Sequence, residues 1–395
     1  MSINQTIFLL LIGYLIFTID KKQANLPVPM ILVFIGIGLS FVPFFSSVHV
    51  TEYLIYYVFL PPLLFVSAYR FPPEHFKKNS NLIIFLSTVG IILTVGILGA
   101  VLYVISGPFI SLTFSGALLL AAILTPTDPV SVVSILKNST SDKKIADVVE
   151  GESLLNDGTS VVIFTVLIGM YTDSQSFSLL SFFGEFLLVS LGGVGLGVFF
   201  GWIISKGVHY THNKEYQVML SIILAYGIFN LAEAFHISGV LATVSAGLML
   251  SFEYGRTFKE EHFKETLDGF WGVVETSALS LLFLLIGIEA AGYLAAPVWG
   301  FAFIVFGLSI LVRFLIIGGS TQLFTTWRRR INWRESALLT WAGLKGTMSI
   351  FLILSFKTEA EGGETFIALA FASVLISLVL QSIGVFPLSK RLLKS

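Results

Sequence analysis

Thr125-Pro126-Thr127-Asp128-Pro129 and, further along, Glu152-Ser153-Leu154-Leu155-Asn156-Asp157 place three carboxylic acids within long apolar surroundings. A charge at the centre of a membrane helix costs about 2.5–3.5 kcal/mol on insertion scales, so acids in such a place mark an ion or proton path. Pro126 and Pro129 lack the N–H that a helix needs and clash with the carbonyls four residues back, those of Ala122 and Thr125, which are expected to become free. Free carbonyls are tolerated at membrane depth only when they are buried in protein or line a watery cavity. With Thr127 and Asp128 they offer the hard-oxygen surroundings that small cations prefer. A plain proline kink would need no aspartate inside it. On the later stretch Ser153 and Asp157 are four apart and share a helical face, and Glu152 and Asn156 share the adjacent one. A surface amphipathic helix beside Lys143 and Lys144 is the competing reading, but it would leave the apolar run Val161–Met170 too short to span. A broken helix beside buried acids is how secondary transporters build a cation site.

The rest of the chain is apolar enough to surround such a site. Of its 395 residues 55% are hydrophobic and only 12% are charged, with a mean hydropathy of +0.89, where a soluble protein would carry about 25% charged residues. Apolar runs recur over approximately 3–19, 28–45, 51–69, 80–106, 109–137, 145–172, 177–206, 215–235, 237–252, 267–289, 294–322, 335–357 and 364–389. This predicts an all-α polytopic membrane protein of about 13 transmembrane helices. Short connections leave no room for a soluble domain, so 1–395 reads as one transmembrane domain with no cytosolic domain. Met1-Ser2-Ile3-Asn4-Gln5 has no basic lead, and the first run reads as a retained helix. The chain has no cysteine, which excludes disulfides and thiolate chemistry, and its six histidines show no HExxH spacing. No cofactor, no enzymatic activity and no nucleic-acid partner are expected.

Lysine and arginine set the orientation. Twenty of the 23 fall on one side if the runs alternate, Lys357 alone falls on the other, and Arg313 and Lys345 lie inside runs. The positive-inside rule then puts the N-terminus outside and the C-terminus in the cytoplasm. Runs 1–6 and 8–13 suggest two inverted six-helix repeats, in which the fourth, fifth and sixth runs correspond to the eleventh, twelfth and thirteenth. The fifth run is broken by prolines and the twelfth by Gly343-Leu344-Lys345-Gly346-Thr347. Arg313 and Lys345 are expected to pair with buried acids, and three acids against two bases leave one negative charge for a monovalent cation or a proton. Glu185, Glu233 and Glu275 read as helix-end or interfacial acids.

Four stretches resemble the monovalent cation:proton antiporters, in particular the NhaP/NHE sodium–proton exchanger branch. They are Phe59-Leu60-Pro61-Pro62-Leu63-Leu64-Phe65, Thr125–Val130, Glu152–Gly158 and Trp341–Gly346, with Ser238-Gly239-Val240-Leu241-Ala242 as a further likeness. The resemblance implies that Asp157 is the shared cation- and proton-carrying carboxylate. It implies that Thr127, Asp128 and Ser153 complete a Na+ shell, that Glu152 acts directly or through water, and that Arg313 pairs with Glu152. Asn156 stands where the electrogenic branch has a second aspartate, which implies electroneutral exchange of one Na+ or Li+ for one proton. Lys345 departs from the family's usual arginine; a lysine keeps the charge and loses the planar fork. The resemblance also implies alternating access, core helices at about 80–172 and 294–389 rocking against a scaffold that forms a homodimer, a plasma (inner) membrane location and a role in pH homeostasis. K+ in place of Na+ stays open, since nothing in the residue types separates the two. An intramembrane aspartyl protease is the reading from a different class, but Leu155-Asn156-Asp157-Gly158 does not fit its Gly-x-Gly-Asp signature.

Overall fold

Apolar helices run through the whole of the computed structural model, which describes residues 2–23, 27–128, 132–133, 136, 144–172, 179–210, 213–254, 261–359 and 363–392. In chain order they are α1 (Ile3–Gln23), α2 (Val28–Ser40), α3 (Leu60–Arg70) and α4 (Pro73–Ser106). Then come α5 (Phe114–Ile123), α6 (Lys144–Thr172), α7 (Leu179–Tyr210), α8 (Lys214–Ala234) and α9 (Gly239–Tyr254). The chain closes with α10 (Glu261–Ala291), α11 (Trp299–Leu323), α12 (Trp333–Trp341), α13 (Thr347–Glu359) and α14 (Glu364–Leu392). No strand occurs among the described residues. Among the described residues seven helices, α4, α6, α7, α8, α10, α11 and α14, are long and apolar enough to cross a bilayer, and shorter apolar helices accompany them.

Burial sorts the helices into inner and outer. Of the most apolar window of α14, 83% is buried, against 17% for α7. Leu187, Leu188, Leu191, Phe199 and Trp202 of α7 stay exposed, an apolar outer face that only lipid would solvate. Its inner face is small: Gly193, Gly197 and Gly201 recur every fourth residue, and a Cβ on any of them would press into Ser238, Ala242 or Ala246 at the base or along the length of α9. Close backbone approach of this kind is what holds helices together without a hydrophobic drive between them.

Two helices stop in the middle of the bundle. α5 ends at Ile123, and the chain runs without helix through Thr125–Asp128. The expected free carbonyl of Ala122 is not free: the helix tightens at its end, and the Thr125 N–H reaches that oxygen at 3.3 Å. Such a tightened last turn is the usual remedy for orphan carbonyls. Pro129, expected to complete the break, lies outside the described residues. The second interruption, Ala342–Gly346, separates α12 from α13. α12 is started by a capping box, with Asn332 accepting from the Glu335 N–H at 2.9 Å and Glu335 accepting from the Asn332 N–H at 2.7 Å.

The two breaks cross. The Asp128 N–H donates to the Leu344 carbonyl at 2.7 Å. Each break is also served by a helix further along the chain. From α6, Ser153 donates to the Thr127 carbonyl at 2.5 Å and Asn156 donates to the Thr127 hydroxyl at 2.7 Å. From α14, Ser377 accepts from the Lys345 N–H at 3.0 Å, and Gln381 donates to the carbonyls of Trp341 at 2.7 Å and Gly343 at 3.2 Å. Polar side chains of the sixth and thirteenth apolar runs thus do the same work for the fifth and twelfth.

Candidate cation-binding site

Where the breaks cross, α6 turns its Ser153–Asp157 face into a cavity of about 320 Å³. Pro126, Thr127 and Asp128 line it from the first break, and Gly346 and Thr347 from the second. Asp157 Oδ1 is buried and accepts no hydrogen bond among the described residues. An ionised oxygen left in this way carries its full desolvation cost until something positive occupies it. Asp128 faces the first turn of α13, whose Thr347 N–H points to its Oδ2 at a long 3.4 Å. The positive end of that helix dipole favours a charged aspartate there.

Close approach is built in at two glycines. A Cβ on Gly346 would collide with the Asp128 side chain, and one on Gly343 would stand 2.5 Å from Arg313 Nε. Only a residue without a side chain lets the second break lie against both groups.

The remaining predicted groups sit behind the cavity. Glu152 does not line it; its Oε2 takes Arg313 Nη2 at 2.7 Å, with side chains only 3% and 9% exposed. Ser153 and Glu152, adjacent in sequence, thus serve opposite sides of α6. Asn156 is buried and holds Thr127 in place. Lys345 is buried in the second break, and its ammonium makes no hydrogen bond or ion pair among the described residues. Of the five charged groups expected to converge, Asp128 and Asp157 share the cavity, Glu152 and Arg313 form a separate buried pair, and Lys345 stands apart.

Three further charged residues complete the wall: Arg70 and Glu150, which the sequence did not single out, and Glu275. Glu275, read as a helix-end or interfacial acid, instead takes Arg70 Nη1 at 2.5 Å. Arg70 also reaches Asp268 Oδ1 at 3.2 Å and its carbonyl at 3.0 Å, and the Tyr69 hydroxyl donates to Asp268. One signal was present: Asp268 and Glu275 lie seven apart on α10 and share a face. The Arg70 and Glu275 side chains are 32% and 27% exposed, so the cavity communicates with their end of the bundle. At the opposite end Tyr56 stacks on Phe351 with ring centroids 4.4 Å apart, and Ser355 donates to Glu52 at 2.5 Å. Glu233 there accepts from the Tyr56 hydroxyl and the Gly239 N–H, both at 2.8 Å, and so caps α9.

The sequence model of the sodium/hydrogen exchanger transmembrane domain matches residues 7–391. The chain belongs to the sodium/hydrogen exchanger family. As an exchanger it is an integral membrane protein and a transporter, not an enzyme, which removes the protease reading. It is 32% identical to the Na+/H+ antiporter NhaG of Bacillus atrophaeus, over 95% of this chain and 72% of that one. It is 30% identical to the Na+/H+ antiporter NhaH of Halobacillus aidingensis, over 98% and 97% of the two chains. The exchanger's fold matches that of the sodium proton antiporter MjNhaP1 of Methanocaldococcus jannaschii with a TM-score of 0.82 at 18% identity, covering 100% of this chain and 99% of that one.

Proposed function

We propose that this exchanger is a Na+/H+ antiporter in which one carboxylate, Asp157, is occupied by either a cation or a proton, and that it exchanges them one for one. The observation that carries this reading is the buried, unpartnered Asp157 oxygen on the wall of a cavity bounded by two crossing helix breaks. Na+ or Li+ is held by Asp157 and Asp128, with the hydroxyls of Ser153 and Thr127 nearby as hard-oxygen donors. Glu152 and Arg313 act as a positioning pair that keeps α6 and α11 in register.

Coupling follows from electrostatics. An ionised, empty site is expensive to carry through the low-dielectric barrier, while a site neutralised by Na+ or H+ crosses more cheaply. Because one group takes one or the other, the two flows exchange and cannot leak separately. Asn156 in place of a second acid supports a one-to-one, electroneutral cycle. The cavity reaches the end that carries Arg70, which the lysine and arginine bias assigns to the cytoplasm, and the Tyr56–Phe351 stack closes the other end. That asymmetry supports alternating access, with the helices carrying the breaks moving against α3 and α10, and a plasma-membrane exchanger with its C-terminus in the cytoplasm.

The test is a proteoliposome assay with a trapped pH dye, to which Na+, Li+ and K+ are added in turn. Na+ and Li+ should drive proton movement that is unchanged when the membrane potential is clamped. Asp157→Asn should abolish it while the protein still elutes as a folded species. Full Na+-driven exchange in that variant would overturn the assignment of Asp157, and exchange with K+ alone would overturn the choice of cation.

A further inference from the structure

At the end of the bundle that carries Arg70, a second cleft of about 140 Å³ opens between the start of α4, the start of α6 and the chain joining α11 to α12. Lys77, Lys78, Lys144 and Arg330 line it together with Asn81 and Trp327, and no acid among the described residues does. The fold holds these bases together. Arg330 Nη1 donates to the Lys78 carbonyl at 3.0 Å, and Lys144 donates to the Arg330 carbonyl. Glu335, just outside the lining, takes Lys144 at 2.7 Å. Among the described residues Lys77 has only the face of Phe252, 5.2 Å away. The exposed Lys78 ammonium makes no hydrogen bond or ion pair among the described residues. Three positive charges therefore remain in one small cleft, a disposition that repels itself unless an anion enters.

The flank of the cleft is apolar and faces outward. Trp327 packs on Phe85 and Phe324, with ring centroids 5.0 and 4.6 Å apart. Phe324 is 50% exposed, Leu323 81% and Ile84 46%. Aromatic side chains beside lysine and arginine are the usual furniture of the headgroup layer. Charge on one side and exposed hydrocarbon on the other match the two ends of one amphiphile. A free inorganic anion would answer the charge and leave the apolar flank unused.

We propose that this cleft binds the phosphate headgroup of an anionic phospholipid, with an acyl chain lying along Phe324, Leu323 and Ile84. The Arg330 guanidinium and the Lys78 ammonium take the phosphate oxygens, the Arg330 fork by paired N–H donors. The headgroup then bridges three segments that position the ion site: α4, the α6 helix that carries Asp157, and the chain leading into the α12–α13 break. Lipid of the right charge becomes part of what holds the exchanger's bundle together, whatever ion it carries.

The experiment uses the full chain in an uncharged detergent and reads its thermal unfolding midpoint with phosphatidylglycerol, phosphatidylcholine or sodium phosphate added, sodium being matched throughout. Phosphatidylglycerol should raise the midpoint by a few degrees, and the other two should not. Lys78→Gln/Arg330→Gln should lose that rise while keeping the lipid-free midpoint. If this variant is unstable by itself, Lys77→Gln/Lys78→Gln, whose side chains are exposed, carries the same comparison. Three results would overturn the proposal: an equal rise with phosphatidylcholine, an equal rise with sodium phosphate, or an undiminished phosphatidylglycerol effect in the variants. None of these readouts depends on transport, so they stand apart from the assignment of Asp157.

Discussion

Arg70 and Glu275, 205 positions apart in the chain, meet at 2.5 Å on the wall of the cavity that also holds Asp157. The pair belongs to α3 and α10, and with Asp268 it leaves that wall negative. Removing the Glu275 charge leaves Arg70 balanced by Asp268 alone and takes from the wall its net negative charge, which favours a cation. Glu275→Gln is expected to raise the apparent KM for Na+ by roughly threefold to tenfold with Vmax retained, the effect of one added charge felt through a partly screened cavity. Arg70→Gln/Glu275→Gln should restore the KM, an outcome that initial rates in proteoliposomes measure and that a purely structural defect would not produce.

The buried Glu152–Arg313 pair should show the asymmetry of buried ion pairs. Glu152→Gln or Arg313→Leu alone leaves one charge without its partner in apolar surroundings and is expected to cost about 3–5 kcal/mol. Glu152→Leu/Arg313→Met should recover most of that loss. Thermal unfolding in detergent checks both, and additive losses in the double variant would show that the two groups do not depend on each other.

Gly346 lies against Asp128 where the breaks cross. Gly346→Ala should push Asp128 off the cavity wall, at an overpacking cost of about 1–3 kcal/mol. A large loss of Na+-driven exchange with a modest fall in unfolding temperature is expected. Gly107→Ala, with open space around its Cβ position, is the control that should change neither.

In the proposed alternating-access cycle, the Tyr56–Phe351 stack is the contact that closes the far end. The chain has no cysteine, so Tyr56→Cys/Phe351→Cys can be made without removing any native thiol. A short, reducible bifunctional thiol reagent should stop exchange by locking that end shut, and reduction should restore it. Undiminished transport in fully cross-linked protein would exclude motion between these two elements.

Much of the site was legible because its signals are local. Membrane-buried acids, prolines beside an aspartate, and the four-residue spacing of Ser153 and Asp157 each carry their physics within one or two helical turns. The adjacent-face pattern on α6 reads correctly for the same reason: helical periodicity alone sends Ser153 and Asp157 one way and Glu152 another. The Ala122 carbonyl was misread because the tightened turn that satisfies it costs nothing visible in residue types. Glu275 was misread because an acid in an apolar helix looks the same whether it snorkels to the interface or meets an arginine from another helix.

By itself, then, the amino-acid order determines an all-helical membrane chain, the places where two of its helices break, and the faces its polar residues occupy, since hydropathy, proline geometry and helical period act over short distances. Only the tertiary structure decided that the breaks cross at Asp128 and Leu344, that Glu152 retreats behind the cavity while Asp157 faces it, and that Arg70, Glu150 and Glu275 share its wall. Those outcomes depend on which helices become neighbours, and packing between segments scores of residues apart leaves no periodic trace in the chain.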